Sequence, residues 1–101
     1  MRPLLYSERA RKDVEDILDY IAVQSSSAAL ALDFVNRLRG QCTELARLPG
    51  MLGRPRDEII PGLRSRAYGS YVIFFRYGKD RLEVVRIIEG HRDLAGQPFE
   101  G

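Results

Sequence analysis

The chain has 101 residues, a formal net charge of +2 and a single cysteine. This length allows one domain, residues 1–101, with one hydrophobic core, and it excludes a multi-domain protein. The near balance of acidic and basic residues excludes a strong overall attraction for nucleic acid, so such binding would need a local basic patch. No internal disulfide can form, no signal peptide opens the chain, and no apolar run has the length of a membrane span. We therefore expect a soluble, cytoplasmic protein.

Residues 4–23 predict a strand followed by a helix. Leu4 to Tyr6 is a short apolar run, and Ser7 is suited to cap the helix that begins near Glu8 and ends near Val23. Apolar residues recur at helical spacing along it, namely Ala10, Val14, Ile17, Leu18 and Ile21. Its carboxylates are expected on the solvated face, and they are Glu8, Asp13, Glu15, Asp16 and Asp19.

A second helix is predicted after the serine run 25–27, which ends the first pattern and supplies a new cap. Its apolar residues follow alternating steps of three and four, namely Ala28, Ala31, Val35, Leu38, Cys42 and Leu45. The pattern stops at Pro49. Cys42 belongs to this stripe, so we expect a core residue and not a nucleophile. The two helices are expected to form an antiparallel hairpin.

The second half of the chain predicts a small sheet. Glycines and prolines mark an irregular connection up to Gly62, and three strands follow at about 63–68, 71–77 and 82–89. Their connections are short enough only for an antiparallel meander. The element order is β-α-α-β-β-β. We therefore predict an α+β domain in which a two-helix hairpin packs on one face of an antiparallel sheet.

A loop at residues 78–81 sets the register of the last two strands. The predicted pairs are Tyr77 with Leu82, Phe75 with Val84, Ile73 with Arg86, Phe74 with Val85 and Val72 with Ile87. Both faces of the sheet are then rich in apolar side chains, whereas a sheet covered on one side has a polar outer face. The second face therefore needs a cover. Either the glycine- and proline-rich connection and the C-terminal tail provide it, or a partner protein does.

Motifs along nearly the whole chain, from about Leu4 to Asp93, resemble the RelE/ParE toxin superfamily and lie nearest to its ParE branch. In the helices they are Ala10, Asp13, Val14, Ile17, Tyr20 and Ile21, followed by Leu48-Pro49. In the second half they are Gly53-Arg54, Gly62-Leu63-Arg64, Tyr71-x-Ile73-x-Phe75 and residues 85–93, Val-Arg-Ile-Ile-Glu-Gly-His-Arg-Asp. Each motif alone is weak, but their order and spacing together are specific.

The resemblance implies the toxin of a bacterial type II toxin-antitoxin system. Such a toxin is neutralised by a small cognate antitoxin, here ParD-like, in a hetero-oligomer, and it needs no cofactor. ParE-type members are regarded as poisons of DNA gyrase without a hydrolytic site. RelE-type members resemble ribosome-dependent nucleases that cut messenger RNA. A third possibility is an inert module that has kept the fold.

Basic residues of the second half are the candidates for contact with a target or an antitoxin. They are Arg64, Arg66, Arg76, Arg86, His91 and Arg92. In a nuclease, Arg66, Arg86, His91 and Arg92 would supply the cations and the proton-transfer group that cleavage at a 2′-hydroxyl requires. In a gyrase poison, none of them is catalytic.

Three departures from the nuclease pattern favour the gyrase poison. Val72 follows Tyr71 where the nuclease branch commonly has an arginine, and Leu63 and Ser65 interrupt the basic pair on the preceding strand. Phe99 stands near the position of a C-terminal tyrosine, and its side chain cannot exchange a proton. We therefore expect a binding poison, with the RelE-like nuclease as the alternative.

Purely structural roles are also open for these residues. Arg76 is expected to face Glu83 across the sheet, and Arg86 has Glu83, Glu89 and Asp93 as candidate partners. His91 lies in a corner where a hydrogen-bonded turn residue is common. A metal site is not supported because one histidine without a cysteine cluster provides too few ligands, and no phosphate-binding glycine motif is present.

Overall fold

A computed structural model describes residues 2–91, 94 and 96–99. The elements are β1 (Leu4–Tyr6), α1 (Glu8–Ser25), α2 (Ala28–Arg47), β2 (Arg54–Pro55), β3 (Leu63–Tyr68), β4 (Tyr71–Tyr77) and β5 (Leu82–Glu89). The predicted α+β class is confirmed, and the three predicted C-terminal strands have the predicted bounds. Helix α1 extends two residues beyond its predicted end at Val23, and β2 is an addition that the sequence pattern did not indicate.

Serine side chains begin both helices, as the sequence predicts. Ser7 Oγ accepts a hydrogen bond from the Ala10 N–H at 3.0 Å, and Ser27 Oγ accepts one from the Leu30 N–H at 3.1 Å. These bonds satisfy backbone donors that a helix leaves free in its first turn. Ser7 Oγ also donates to the Val85 carbonyl at 2.7 Å. The start of α1 is therefore fixed against β5.

The sheet has the strand order β1-β5-β4-β3-β2. The meander β3-β4-β5 is antiparallel, as predicted, and β2 pairs antiparallel with β3. Strand β1 lies at the other edge and runs parallel to β5, so the sheet is mixed where the sequence predicted antiparallel pairing alone. The helical hairpin separates β1 from the meander along the chain, and such a long crossover allows a parallel pair.

A bulge between Phe74 and Phe75 changes the predicted register of β4 and β5. The pairs Tyr77 with Leu82 and Phe75 with Val84 are confirmed. The three further pairs were wrong by one residue, and the observed pairs are Phe74 with Arg86, Ile73 with Ile87 and Val72 with Ile88. A bulge adds one residue to one strand and so reverses the alternation of faces beyond it.

The reversed alternation removes Arg86 from the helix-covered face of the sheet. Without the bulge, Arg86 would lie on the same face as Val84 and opposite Ile73. In the structure, Ile87 takes this position beside Ile73. The helix-side core contains Val14, Ile17, Val35, Leu38, Cys42, Leu45, Ile73, Phe75, Leu82, Val84 and Ile87. The bulge thus keeps a charge out of the main core, where burial would be costly.

The chain itself covers the second face of the sheet, which was one of the two predicted explanations. This smaller core contains Leu63, Phe74, Val85, Ile88 and Phe99. Ile59 and Ile60 of the connection and Leu94 of the tail pack against it. The Phe99 ring meets the Phe74 ring edge-on at 5.0 Å between centroids. The apolar content of this face therefore does not by itself require a partner protein.

Candidate functional site

The predicted basic residues are dispersed over the sheet. Arg64 and Arg66 of β3 lie opposite Phe75 and Ile73 on the helix-covered face, whereas Arg76 lies opposite Leu63 on the second face. Arg86 lies on β5, next to α1, and His91 lies just beyond the end of β5. Arg92 lies outside the described residues. The described candidates therefore do not converge on one point where a phosphate could be bound and cleaved.

Arg64 holds the irregular connection in place. Its Nε donates to the Leu52 carbonyl at 2.6 Å, and its Nη2 donates to the Gly53 carbonyl at 3.0 Å. These bonds use the planar guanidinium as a clamp on two successive carbonyls. The Arg64 side chain is therefore engaged within the chain.

Arg76 forms the predicted pair with Glu83, with 3.1 Å between Nη2 and Oε1. Both side chains are partly exposed, so the pair contributes little to stability. Its geometry leaves the guanidinium accessible at the surface. Arg66 is half-buried, and within the described part of the chain its guanidinium makes no hydrogen bond or ion pair. Among the described arginine candidates, Arg66 is thus the one with an uncommitted charge.

His91 is exposed and belongs to the turn that ends β5. Its backbone N–H donates to Glu89 Oε1 at 3.1 Å, while Gly90 N–H donates to the Ser70 carbonyl at 2.7 Å. The Gly90 bond ties the turn to the β3–β4 connection, and the His91 bond closes the turn onto the end of β5. The expected role of a hydrogen-bonded turn residue is therefore met by the His91 backbone.

Arg86 pairs with Asp13 of α1 and not with the candidate partners Glu83 and Glu89, whereas the third candidate, Asp93, lies outside the described residues. Its Nε and Nη2 donate to the two carboxylate oxygens at 2.8 and 2.9 Å, and the two side chains are only 9% and 12% exposed. The Ile87 N–H donates to the same carboxylate at 2.9 Å, and Arg86 Nη1 donates to the Pro98 carbonyl at 2.7 Å. All of these bonds are internal, so Arg86 is a structural residue in this arrangement.

The expectation that Asp13 belongs to the solvated face of α1 was wrong. Asp13 lies three residues after Ala10, next to Val14 and four residues before Ile17. On a helix these positions are neighbours, so Asp13 stands at the border of the apolar stripe. This spacing was the available signal. The burial of Asp13 follows from Arg86, which supplies the opposite charge.

A groove of about 790 Å³ runs between α1 and the free end of β5, and we call it the α1–β5 groove. Its lining residues include Asp13, Asp16, Ile17, Tyr20, Ile21, Phe34, Tyr71, Arg86, Ile87 and Glu89. Tyr20 is 60% exposed at its rim. Sequence reasoning missed this groove because it depends on how far β1 extends along β5. The pairing of β1 with β5 ends at Val84, which leaves the rest of this edge without a strand.

Cys42 is fully buried, as predicted for a core residue. Burial raises the pKa of its thiol to about 11, although a hydrogen bond with Tyr6 and the charge of Arg39 act in the opposite direction. Burial also raises the pKa of the Tyr6 hydroxyl. The thiol stays protonated at neutral pH and has no route to a substrate, which argues against nucleophilic chemistry.

The described residues offer no metal-binding chemistry. No group of three or more histidine, cysteine, aspartate or glutamate side chains lies close enough together to hold an ion in this part of the chain. Among the same residues, no helix is long and apolar enough to cross a bilayer.

Comparisons with known proteins identify relatives over most of the chain. Residues 4–94 match the family model of the ParE toxin of type II toxin-antitoxin systems, parDE. Toxin ParE1 of Caulobacter vibrioides is 35% identical over 88 residues, which cover 87% of this chain and 88% of the relative. Toxin ParE3 of the same organism is 29% identical over 82 residues, covering 81% and 76%.

A solved structure agrees with these relatives. It is described as a chromosomal ParDE toxin-antitoxin system from P. aeruginosa, and it matches 88% of this chain and 96% of its own with a TM-score of 0.75 and 25% identity. The family match spans the helical hairpin and the whole sheet. The chain therefore belongs to the ParE toxin family of type II toxin-antitoxin systems.

Proposed function

We propose that this chain inhibits bacterial growth in the cytoplasm by binding and poisoning DNA gyrase, and that a cognate ParD-like antitoxin neutralises it. Membership of the ParE family supports a toxin with an antitoxin partner. The chain acts by binding in this proposal, so none of its residues is catalytic. The proposal requires an accessible surface and no site of bond cleavage.

The main observation in favour of a binding poison is the internal pairing of Arg86. In the nuclease alternative, Arg86 would stabilise the charge that develops on the phosphate. Its guanidinium instead donates to Asp13 and to the Pro98 carbonyl, and it is nearly inaccessible. Among the described nuclease candidates, Arg66 of β3 and His91 of the turn after β5 remain. The internal use of the Arg86 guanidinium supports binding over cleavage.

The test compares the two targets directly. Purified chain is added to gyrase with supercoiled plasmid, and in parallel to ribosomes translating a defined messenger RNA. We expect cleaved DNA to accumulate, or supercoiling to stop, while the messenger RNA stays intact. Site-specific cuts in ribosome-bound messenger RNA, with gyrase unaffected, would overturn the proposal in favour of the RelE-like nuclease.

A matched pair of variants separates binding from catalysis. Arg66→Ala removes the uncommitted cation. If this cation makes a charge-assisted hydrogen bond to gyrase, its loss should weaken the free energy of binding to gyrase by about 1 to 3 kcal/mol. Arg37→Ala removes an arginine of α2 that forms an exposed pair with Asp33, so it should leave inhibition unchanged. If Arg66→Ala instead cuts ribosome-bound messenger RNA about a hundredfold or more slowly while still binding the ribosome, Arg66 is a cation that stabilises the transition state.

Neutralisation has its own test. Co-expression with a small antitoxin encoded next to the toxin should restore growth and yield a stable complex on purification. If growth arrest persists when each protein encoded next to the toxin is co-expressed, the proposal that an antitoxin neutralises the chain is wrong.

A further inference from the structure

The α1–β5 groove combines an apolar wall with an acidic rim. Ile17 and Ile21 of α1 and Phe34 of α2 form the wall on the helix side, and Ile87 lies on the strand side. Tyr20 adds an exposed aromatic ring, which favours contact with an aliphatic chain or a cation. A concave site of this kind binds an apolar group and selects it by the polar groups at its edge.

The Asp13–Arg86 pair closes one end of the groove and contributes no available charge there. The two charges neutralise each other, and the Asp13 carboxylate also accepts a hydrogen bond from the Ile87 N–H. A ligand that competed for either group would have to break a buried ion pair, which is costly. The selectivity of the groove therefore depends on its other charged residues.

Those other charges are both negative. Asp16 is 61% exposed, and its pair with the exposed Lys12 is weak. Glu89 lies at the far end of β5 and uses one oxygen to accept the His91 N–H. The charged lining residues comprise three carboxylates and one guanidinium, although the whole chain has a net charge of +2. The groove is thus an acidic site on a basic protein, and it attracts cations.

The length of the groove limits the size of its occupant. The α1 residues that line the groove run from Asp13 to Ile21, an advance of about 12 Å. This distance accommodates about three to four residues of extended chain. One or two aliphatic side chains can fill the wall while a lysine or arginine at the end of the segment reaches Asp16 or Glu89.

We propose that the α1–β5 groove binds a short segment of a partner protein in which aliphatic residues lie next to lysine or arginine. The inference rests on the proposed function in one respect, since it assigns this segment to the antitoxin. The apolar wall provides affinity, and the acidic rim selects a basic segment over an acidic one. An antitoxin that lacked the basic residue would bind more weakly at this groove.

The first test uses short synthetic peptides and the ¹⁵N-labelled chain. Acetyl-Lys-Leu-Ile-Lys-amide is titrated against two controls, Glu-Leu-Ile-Glu and Lys-Ser-Ser-Lys, with the same end groups. We expect the basic aliphatic peptide to shift the amide signals of Ile21 and Ile87 and to bind about tenfold more tightly than either control. Equal or tighter binding of the acidic peptide overturns the inference. Shifts confined to another surface, or no shift up to about 5 mM, also overturn it.

The second test changes the groove. Asp16→Lys reverses an exposed rim charge and should weaken binding of the basic peptide about fivefold at low salt, with less effect at high salt. Asp19→Lys is the control, because Asp19 is an exposed carboxylate of the same helix outside the lining. Tyr20→Ala should weaken binding, whereas Val23→Ala, at an exposed apolar residue of α1 outside the lining, should not. Equal effects of variant and control would overturn the inference.

Titration of the same variants with the purified cognate antitoxin separates this inference from the proposed function. If Asp16→Lys and Asp19→Lys bind the antitoxin equally well while the chain still poisons gyrase, the groove assignment fails and the function stands. If the antitoxin binding of Asp16→Lys is selectively weakened but gyrase is unaffected by the chain, the groove assignment stands and the gyrase target fails.

Discussion

Asp13 and Arg86 lie 73 residues apart in the sequence, and they form a two-point ion pair with distances of 2.8 and 2.9 Å. The same carboxylate accepts the Ile87 N–H at 2.9 Å, so a side chain of α1 occupies the place of a neighbouring strand beside β5. Strand β1 ends its pairing at Val84, just before this point. Asp13 therefore extends the attachment of α1 to the sheet and satisfies an exposed strand edge.

The first prediction concerns this pair. Asp13→Ala leaves the Arg86 guanidinium and the Ile87 N–H without their acceptor, and removing one partner of a buried pair costs about 3 to 5 kcal/mol. Asp16→Ala removes an exposed carboxylate from the same helix and should change the free energy of unfolding by less than about 0.5 kcal/mol. Urea denaturation of both variants provides the measurement. Similar stability of the two would show that the Asp13 pair does not fix α1 to the sheet.

The second prediction tests the core face of α2. Leu38 is fully buried in the helix-side core, so Leu38→Asp places an unpaired carboxylate among apolar side chains at a cost of several kcal/mol. The domain should unfold and growth inhibition should disappear with it. Leu32 lies on the same helix and is 51% exposed, so Leu32→Asp should remain folded. Circular dichroism and thermal melts distinguish the variants, and a folded Leu38→Asp protein would contradict the core assignment.

The third prediction compares two glycines with nearly the same backbone conformation. Gly53 and Gly50 have φ values of +82° and +83°, so alanine carries a similar conformational strain at either position. A Cβ at Gly53 would lie 2.6 Å from Phe75 Cζ and 2.8 Å from the Ser65 carbonyl oxygen, whereas Gly50 has open space. Phe75 is fully buried, so a shift of its ring would disturb the packing of the helix-side core.

Gly53→Ala should therefore destabilise the protein by about 1 to 3 kcal/mol more than Gly50→Ala does. Chemical denaturation of the two variants measures the difference. Equal losses of stability would mean that the connection can move away from Phe75, and that the Arg64 clamp on the Gly53 carbonyl does not hold it there.

The fourth prediction is a pH dependence caused by Cys42. Burial raises the pKa of its thiol from an ordinary value of 9.0 to about 11. Between these values the unfolded chain has lost the proton while the folded protein still holds it. Stability from this group is thus complete below about pH 9 and is lost as the pH rises to about 11.

The free energy of unfolding should therefore fall by roughly 2 kcal/mol more in the wild type than in Cys42→Ala across this range. The pKa of Tyr6 is raised by burial and also by Cys42, so Tyr6 adds to the fall in both proteins and adds more in the wild type. Val35→Ala, a buried substitution without an ionisable group, should keep the wild-type pH dependence. Parallel curves for the wild type and Cys42→Ala would exclude the thiol as the cause.

The sequence by itself determined the elements that depend on local order. Helical spacing predicted both helices, and Ser7 and Ser27 begin them because their hydroxyls satisfy backbone groups only three residues away. The bounds of the three C-terminal strands and the pairs nearest to the 78–81 loop, such as Phe75 with Val84, follow from alternation and a short connection. The order and spacing of the motifs also indicated the toxin family from the sequence alone.

Only the tertiary structure decided the features that depend on contacts between distant residues. The bulge beside Phe74 shifted the register and turned Arg86 out of the helix-side core, where its charge would have been unpaired. Strand β1 joined the sheet in the parallel sense. Its pairing with β5 ends at Val84, and Asp13 and the α1–β5 groove lie along the part of the β5 edge that β1 leaves unpaired. These features depend on burial, charge pairing and backbone hydrogen bonds between residues that are far apart in the sequence, so no local sequence pattern predicts them.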